Sequence, residues 1–198
     1  LVLTFAVLPF FFKDKVMEIA RRELNKRLTA EVNFRDLKIS FIRNFPDASV
    51  SLRDLYIAGK DEFAGDTLLM SREVNVAVNL KSLFGDTGYE VKKVLINDSK
   101  VYAHVLKDGT ANWEIFPEDT TEVDTAASDL KFKLQDFSFN RADVRYLSDS
   151  GSVAAKLDNL NLNVKGDFTA DSTLLATSLT VDTLNFWNGG VHYANNLV

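Results

Sequence analysis

The hydrophobic pattern of this chain repeats a six-residue phrase: an apolar residue, two mostly polar residues, an apolar residue, any residue and a final apolar residue. Copies begin at Phe34, Leu52, Ser71, Val91, Leu134, Leu157 and Val181, and the copy at Ser71 is the weakest. Successive copies start 18 to 24 residues apart, except for one interval of 43 residues that spans about two periods. Self-similarity at this length indicates a repeat architecture.

Within the phrase the apolar residues are three and then two positions apart, which interrupts the regular alternation of faces along a strand. We call this interruption the parity change. Alternate strand residues point to opposite faces, so Leu52 and Leu55 would face opposite ways in a regular strand. A β-bulge adds one residue and returns both to one face, and Asp and Asn tolerate the backbone that a bulge needs. We therefore predict bulges near Asp36, Asp54, Asp136 and Asn159, with the pairs Phe34/Leu37, Leu52/Leu55, Leu134/Phe137 and Leu157/Leu160 on one apolar face. The alternative is that these Asp and Asn residues mark tight turns between separate strands.

The apolar period is helical over residues 13–28 and strand-like after Thr29. Strands are predicted at 37–42, 50–58, 67–80, 90–96, 101–107, 130–139, 144–147, 153–165 and 174–186. Short turn-rich links without crossover helices predict antiparallel pairing. The predicted fold is mainly β with an N-terminal α-helix: an elongated, curled antiparallel β-sheet that forms an open groove with an apolar interior.

The predicted groove is lined by aliphatic residues of the first repeats. They are Leu37, Ile39, Leu52, Leu55, Ile57, Val74, Val76, Val78, Leu80, Val94 and Ile96. If no other layer covers this stripe, it exceeds a normal surface patch and must meet a partner, another sheet or lipid. A β-sandwich that buries the same face is the main structural alternative, and a β-helix with a carbohydrate cleft is a third, which parallel pairing would reveal.

Two segments divide the chain. Residues 1–28 are predicted to be a membrane-anchor remnant followed by an amphipathic helix, and residues 29–198 a repeating β-groove domain with an acidic mobile loop at 117–129. The apolar run at residues 1–12 is shorter than the roughly 20 residues that span a bilayer, so a buried core helix is the alternative. The helix is basic, and Arg21, Arg22, Lys26 and Arg27 are the candidate membrane-proximal cations.

The amino-acid composition limits which binding and catalytic functions the chain can have. The formal charge of −5 and the pI of 5.1 disfavour a general nucleic-acid surface. The chain has no cysteine and two histidines, His104 and His192, which are expected to be ordinary strand residues. No catalytic or phosphate-binding motif occurs, and a calcium site at Asp61-Glu62 is a minor alternative to a solvated turn. We therefore predict a protein that is not an enzyme and has no cofactor and no metal.

One stretch resembles a known family. Residues 80–113 end in Asp108-Gly109-Thr110-Ala111-Asn112-Trp113, and they follow the strands around residues 40–46 and the turn at 59–68. This order, from anchor and amphipathic helix to the Asn-Trp phrase, is similar to the N-terminal region of the AsmA family. The similarity covers about residues 5–116. Residues 130–198 continue the repeat without a diagnostic phrase.

The resemblance implies a Gram-negative inner-membrane protein with a single N-terminal anchor and its bulk in the periplasm. It also implies kinship with chorein-type bridge-like lipid transfer proteins, and no catalytic residues. The expected partners are phospholipid acyl chains in the groove, the membrane through the N-terminal segment, and envelope proteins. The leading hypothesis is that the chain forms the inner-membrane end of a groove for phospholipid transport toward the outer membrane. The rival is a periplasmic scaffold that assists outer-membrane protein assembly through its sheet edge.

Overall fold

The computed structural model describes residues 13–44, 47–79, 89–116, 130–166 and 174–197. The predicted anchor at 1–12, the acidic segment at 117–129 and Leu80 lie outside these residues. The amphipathic helix α1 spans Lys13–Arg27, which agrees with the predicted helix to one residue. Its apolar side chains Met17, Ala20 and Leu24, followed by Leu28, pack against the sheet. The chain then turns at Thr29, whose N–H donates to the carbonyl oxygen of Ile115 at 2.9 Å.

Most of the described chain forms strands. They are β1 (Ala30–Asn33), β2 (Asp36–Asn44), β3 (Asp47–Gly59), β4 (Thr67–Asn79), β5 (Tyr89–Val105), β6 (Leu130–Ser148), β7 (Val153–Lys165), β8 (Ala176–Thr180), β9 (Thr183–Asn188) and β10 (Val191–Leu197). A short 3-10 turn, Asp61–Phe63, connects β3 to β4. The mainly β class with one N-terminal helix is confirmed.

The ten strands form one open sheet. Its order is β1-β3-β4-β5-β6-β7-β9-β10, with β2 also paired to β3 and β8 also paired to β7. The strands β1 and β2 therefore share one side of β3, and β8 and β9 share one side of β7. Among the described residues the sheet does not close on itself and no second sheet lies against it.

One pairing corrects the predicted topology. Strands β5 and β6 run parallel, from the pair Tyr89↔Leu130 to the pair Val105↔Ser148, whereas all other described pairings are antiparallel. Parallel neighbours need a connection long enough to return the chain to the starting end. The 24 residues between Val105 and Leu130 have this length, and they account for the doubled repeat interval. The predominance of antiparallel pairs also disagrees with a β-helix.

Strand boundaries differ from the prediction in a systematic way. Strand β5 is continuous where two strands were predicted, and the same is true of β6. The predicted strand at 174–186 is divided into β8 and β9. The short edge strands β1 and β10 were not predicted. The sequence pattern predicts that polar residues inside a long strand end that strand. In the structure these residues have an irregular backbone, but the strand continues through them and stays paired with its neighbours.

These irregular positions form a row across the sheet. Asp54 in β3, Asp98 in β5, Arg141 in β6 and Asn159 in β7 have φ values of 48°, 49°, 55° and 52°. We call these four residues the left-handed row. Arg72 of β4 lies between Asp54 and Asp98 in register, because the ladder pairs Ser71 and Glu73 with their neighbours on either side of it. The breaks between β1 and β2 and between β8 and β9 continue the same row at the two sides of the sheet.

The left-handed row explains the parity change in the phrase. Leu52 packs against the cluster that contains Leu55, so these residues three apart share one face, with Asp54 between them. Leu157 and Leu160 also share a face, since they pair with Val144 and Ala142, which are two residues apart. The predicted bulge at Asn159 is therefore confirmed, because the register of β6 and β7 shifts there. At Asp54 the predicted effect on the faces is confirmed, but the register of β3 and β4 does not shift, so Asp54 is a left-handed residue within a regular ladder and not a bulge.

The other two predicted bulges need correction in detail. Phe34 and Leu37 do share a face, but the irregularity is the break at Phe34 and Arg35 rather than a left-handed Asp36. In β6 the register shifts between the pairs Val91↔Phe132 and Lys93↔Asp136, so extra residues precede Asp136. The side chain of Leu134 lies outside the described part, so the Leu134/Phe137 pair is not compared.

Candidate functional site

The candidate site is the apolar face of the sheet. At its centre are Val32, Phe34, Leu55, Val74 and Ile96, which are all at least 92% buried. The partly buried residues that pack against them continue the face across five neighbouring strands: Leu37, Leu52, Ile57, Leu69, Val76, Val94, Phe137 and Phe139. The register extends the face to β7, where Leu162 and Val164 pair with Phe139 and Phe137. We use "apolar face" for this set of residues.

Eight of the eleven predicted groove residues belong to this set: Leu37, Leu52, Leu55, Ile57, Val74, Val76, Val94 and Ile96. Ile39 lies further along β2 and is 38% exposed, so it is at the margin of the face. Val78 is buried but lies outside the cluster around Phe34. The prediction did not include Phe137 and Phe139 in the groove, although the fifth copy of the phrase contains both.

Helix α1 covers one end of the apolar face and also closes the sheet edge there. The side-chain amide of Asn25 accepts from the N–H of Val32 at 2.9 Å and donates to the carbonyl oxygen of Val32 at 2.6 Å. It thus satisfies both outward backbone groups of Val32, as a neighbouring strand would. Edge strands with free backbone groups invite further pairing, so this contact protects the β1 edge.

The predicted membrane-proximal cations have different environments. The Arg21 guanidinium donates through Nε and Nη2 to the carbonyl oxygen of Phe34, with a distance of 3.2 Å from Nε. Its central carbon also lies 4.9 Å from the centroid of the Phe34 ring. Arg22 and Lys26 are exposed, and Arg27 is the last residue of the helix. Arg21 therefore serves the helix–sheet junction, whereas Lys26 projects its charge into solvent.

The opposite face of the sheet is polar. Lys93 donates to Oδ2 of Asp136 at 2.8 Å, and Ser138 and Asn163 donate to Oδ1 of Asp136 at 3.1 and 2.9 Å. Burial acts to raise the pKa of Asp136, but these hydrogen bonds and the Lys93 charge outweigh it and lower the pKa below its ordinary value. The two faces therefore have contrasting chemistry in the part of the sheet that the structure describes, and the polar face carries a network of charged and amide side chains.

Charged side chains accompany the left-handed row. Arg141 Nε lies 2.6 Å from Oδ1 of Asp98, and Arg72 Nη1 lies 3.8 Å from Oδ2 of the same residue. The hydrogen bond from Arg141 lowers the pKa of Asp98. At one side of the sheet Arg35 pairs with Asp54 at 2.6 Å. Exposed ion pairs add little stability, and these pairs link the left-handed row to side chains on neighbouring strands.

The structure also brings together groups that the sequence leaves far apart. His104 contacts Asp66 and Asp149, which are 38 and 45 positions away along the chain. Nothing in the spacing of the motifs pointed to this contact. At the proposed calcium position, Asp61 has a φ of 49° in the 3-10 turn. Within the described residues, no group of three or more His, Asp or Glu side chains is arranged to hold a metal ion.

No family model and no curated protein matches this sequence. In the part of the chain that the structure describes, no helix has both the length and the apolarity needed to cross a membrane.

Proposed function

We propose that this chain binds lipid acyl chains along its apolar face and forms the inner-membrane end of a hydrophobic groove for phospholipid transport toward the outer membrane. The observation that carries the proposal is the extent of the face, which continues from β2 to β7. Helix α1 packs at the β1 and β2 end. Over the described residues, no second layer covers the remainder. A curled sheet would shape this face into the groove.

The chemistry of the face favours a lipid occupant. Its side chains are aliphatic or phenyl groups, such as Val94, Phe137 and Leu162, which offer no hydrogen bonds to a ligand. Burying apolar surface gains roughly 25 cal/mol per Å², or about 0.8 kcal/mol for each methylene group. An acyl chain supplies a series of methylene groups and makes no polar demand. It can therefore bind at many positions along the face, which is the property that transport by sliding requires.

The membrane end of the proposal rests on the N-terminal part of the chain. Residues 1–28 carry six basic and three acidic groups in a chain of net charge −5. Exposed Lys26 on α1 would meet anionic headgroups favourably. This charge distribution supports contact of α1 with an anionic membrane surface, and the resemblance to the AsmA family implies an inner-membrane anchor with the sheet in the periplasm. The proposal assigns no catalytic residue, cofactor or metal.

The test places one charge on the apolar face away from the helix. Leu162→Asp puts a carboxylate opposite Phe139, outside the cluster that contains Phe34. We expect this variant to lose most crosslinking to phospholipid from a photoreactive residue at position 94, measured in bilayer vesicles that contain a radiolabelled phospholipid. The physical reason is the large cost of desolvating a charge beside acyl chains.

The matched control is Asn161→Asp, one residue away on the polar face. The side-chain oxygen of Asn161 accepts from the N–H of Arg141 at 3.0 Å, and an Asp retains this acceptor. Both variants add one negative charge to the same strand, so a general effect of charge would reduce crosslinking equally. Equal crosslinking in wild type and Leu162→Asp, with both folded by circular dichroism, would contradict lipid binding on this face.

A second candidate function is supported by the exposed apolar residues on the edge strands β8 and β10. Strand β8 is exposed along its whole length, with Leu179 57% exposed, and on β10 Val191 and Tyr193 are 55% and 66% exposed. An exposed apolar edge is suited to pairing with a strand of another protein. In this role the chain would be a periplasmic scaffold for outer-membrane protein assembly. Protein crosslinks from position 179, without lipid crosslinks from position 94, would favour the scaffold.

A further inference from the structure

His104 lies on β5 between two carboxylates from different connections. Its Nδ1 is 2.6 Å from Oδ2 of Asp66, which lies between the 3-10 turn and β4. Its Nε2 is 3.5 Å from Oδ2 of Asp149, in the turn between β6 and β7. This second contact has an ion-pair distance, but Nε2 has no hydrogen-bond partner. The His104 side chain is only 14% exposed, between the rings of Phe63 and Tyr102.

The two carboxylates respond differently to the loss of one proton. A neutral imidazole has a single N–H group. When this group is at Nδ1, it donates to Asp66, and Nε2 then presents a lone pair toward the Asp149 carboxylate. Protonation of Nε2 replaces this repulsion by attraction between an N–H and a carboxylate. The contact with Asp66 therefore persists in the neutral state, and the contact with Asp149 depends on the proton.

We propose that Asp66, His104 and Asp149 form a proton-operated latch in which the imidazolium of His104 binds the β6–β7 turn to β5. Loss of the Nε2 proton to water releases the Asp149 side chain and leaves the Asp66 contact in place. The titratable groups that face the imidazole are Asp66 from the β3–β4 connection, Asp149 from the β6–β7 turn and Tyr102 from β5 itself. Burial, with help from the two carboxylates, raises the pKa of Tyr102, so this phenol stays neutral while His104 titrates.

The direction of the pH dependence follows from the neighbours of the imidazole. The hydrogen bond with Asp66 raises the pKa of His104 above its ordinary value of 6.5, burial opposes this change, and Asp149 adds to it. A raised folded-state pKa means that the stabilisation is complete below the unfolded-state pKa. It is lost as the pH rises through the folded-state pKa. The latch is therefore closed in acid and opens toward alkaline pH.

Hydrogen exchange of the turn tests the latch directly. The N–H groups of Asp149 and Gly151 donate to Val105 O at 2.9 Å and Ser148 Oγ at 3.3 Å, so both amides report opening of the turn. The His192→Gln variant leaves His104 as the single imidazole, whose titration NMR follows. Between about pH 5 and about pH 9 we expect the protection factors at residues 149–151 to fall roughly threefold, with the midpoint of the imidazole titration.

Two substitutions of Asp149 separate the latch from a general effect of pH. In Asp149→Asn the side-chain amide can donate to the neutral Nε2, so the turn should stay closed and its protection should not depend on His104 titration. In Asp149→Ala the turn should be open at every pH. The amide of Asp66, which donates to Phe63 O at 2.9 Å, should change little in all three proteins. The proposal would be overturned if the protection factors of the turn did not change at the midpoint of the imidazole titration. It would also be overturned if Asp149→Asn kept the wild-type pH dependence.

Discussion

The left-handed backbone at Asn159 predicts a reversal in the usual order of alanine and glycine. Asn159 has a φ of 52°, a conformation that costs a residue with a Cβ roughly 1–2 kcal/mol. Its side chain donates to Oδ2 of Asp182 at 2.9 Å. Both Asn159→Ala and Asn159→Gly lose this hydrogen bond, so the difference between them reports the backbone alone. We expect the glycine variant to be more stable by about 1 kcal/mol.

Asn161 provides the matched control on the same strand. It is also an asparagine with a side-chain hydrogen bond, but its backbone is not left-handed. In a regular strand, glycine is less favourable than alanine by roughly 0.5–1 kcal/mol. Asn161→Ala should therefore be more stable than Asn161→Gly, which is the opposite order. The quantity to compare is the free energy of unfolding from urea denaturation of all four variants.

The test depends on the sign of the stability difference between the alanine and glycine variants and not on its magnitude. If alanine equals or exceeds glycine in stability at both positions, then Asn159 does not impose a left-handed backbone in solution. The explanation of the parity change would then fail, and with it the reason that Leu157 and Leu160 share one face. A changed denaturant slope in only one variant would instead show that the denatured state differs, so the slopes must agree before the energies are compared.

Two further predictions concern the core and the polar face. Phe34 is 2% exposed and contacts Arg21, so Phe34→Ala should lower the free energy of unfolding by about 3–5 kcal/mol, and Phe34→Leu by clearly less. Equal losses in thermal or urea unfolding would show that packing around this ring is unimportant. The lowered pKa of Asp136 means that its contribution to stability is present above its ordinary pKa of 3.8 and is lost as the pH falls through the folded-state pKa. Asp136→Asn should therefore reduce the acid sensitivity of unfolding between about pH 5 and about pH 2, and an unchanged acid profile would refute this assignment.

The sequence by itself determined the helix, the regions of most strands and many of the residues that share a face. The helical period of residues 13–28 and the repeated phrase depend on local geometry, since side chains recur with the period of the helix or strand that carries them. For the same reason, the parity change at Asp54 and Asn159 could be read from Leu52/Leu55 and Leu157/Leu160. Position in the phrase alone was therefore enough to place eight of the eleven predicted groove residues on the apolar face.

Only the tertiary structure decided which elements meet. The parallel pairing of β5 and β6 depends on how the chain returns after Val105, and strand spacing does not encode that path. The contact of Asn25 with Val32 and the contact of His104 with Asp66 and Asp149 are likewise long-range. Such contacts form because separate segments pack at one place on the sheet. The sequence could therefore identify an apolar face, but the closed β1 edge and the position of the His104 latch required the assembled sheet.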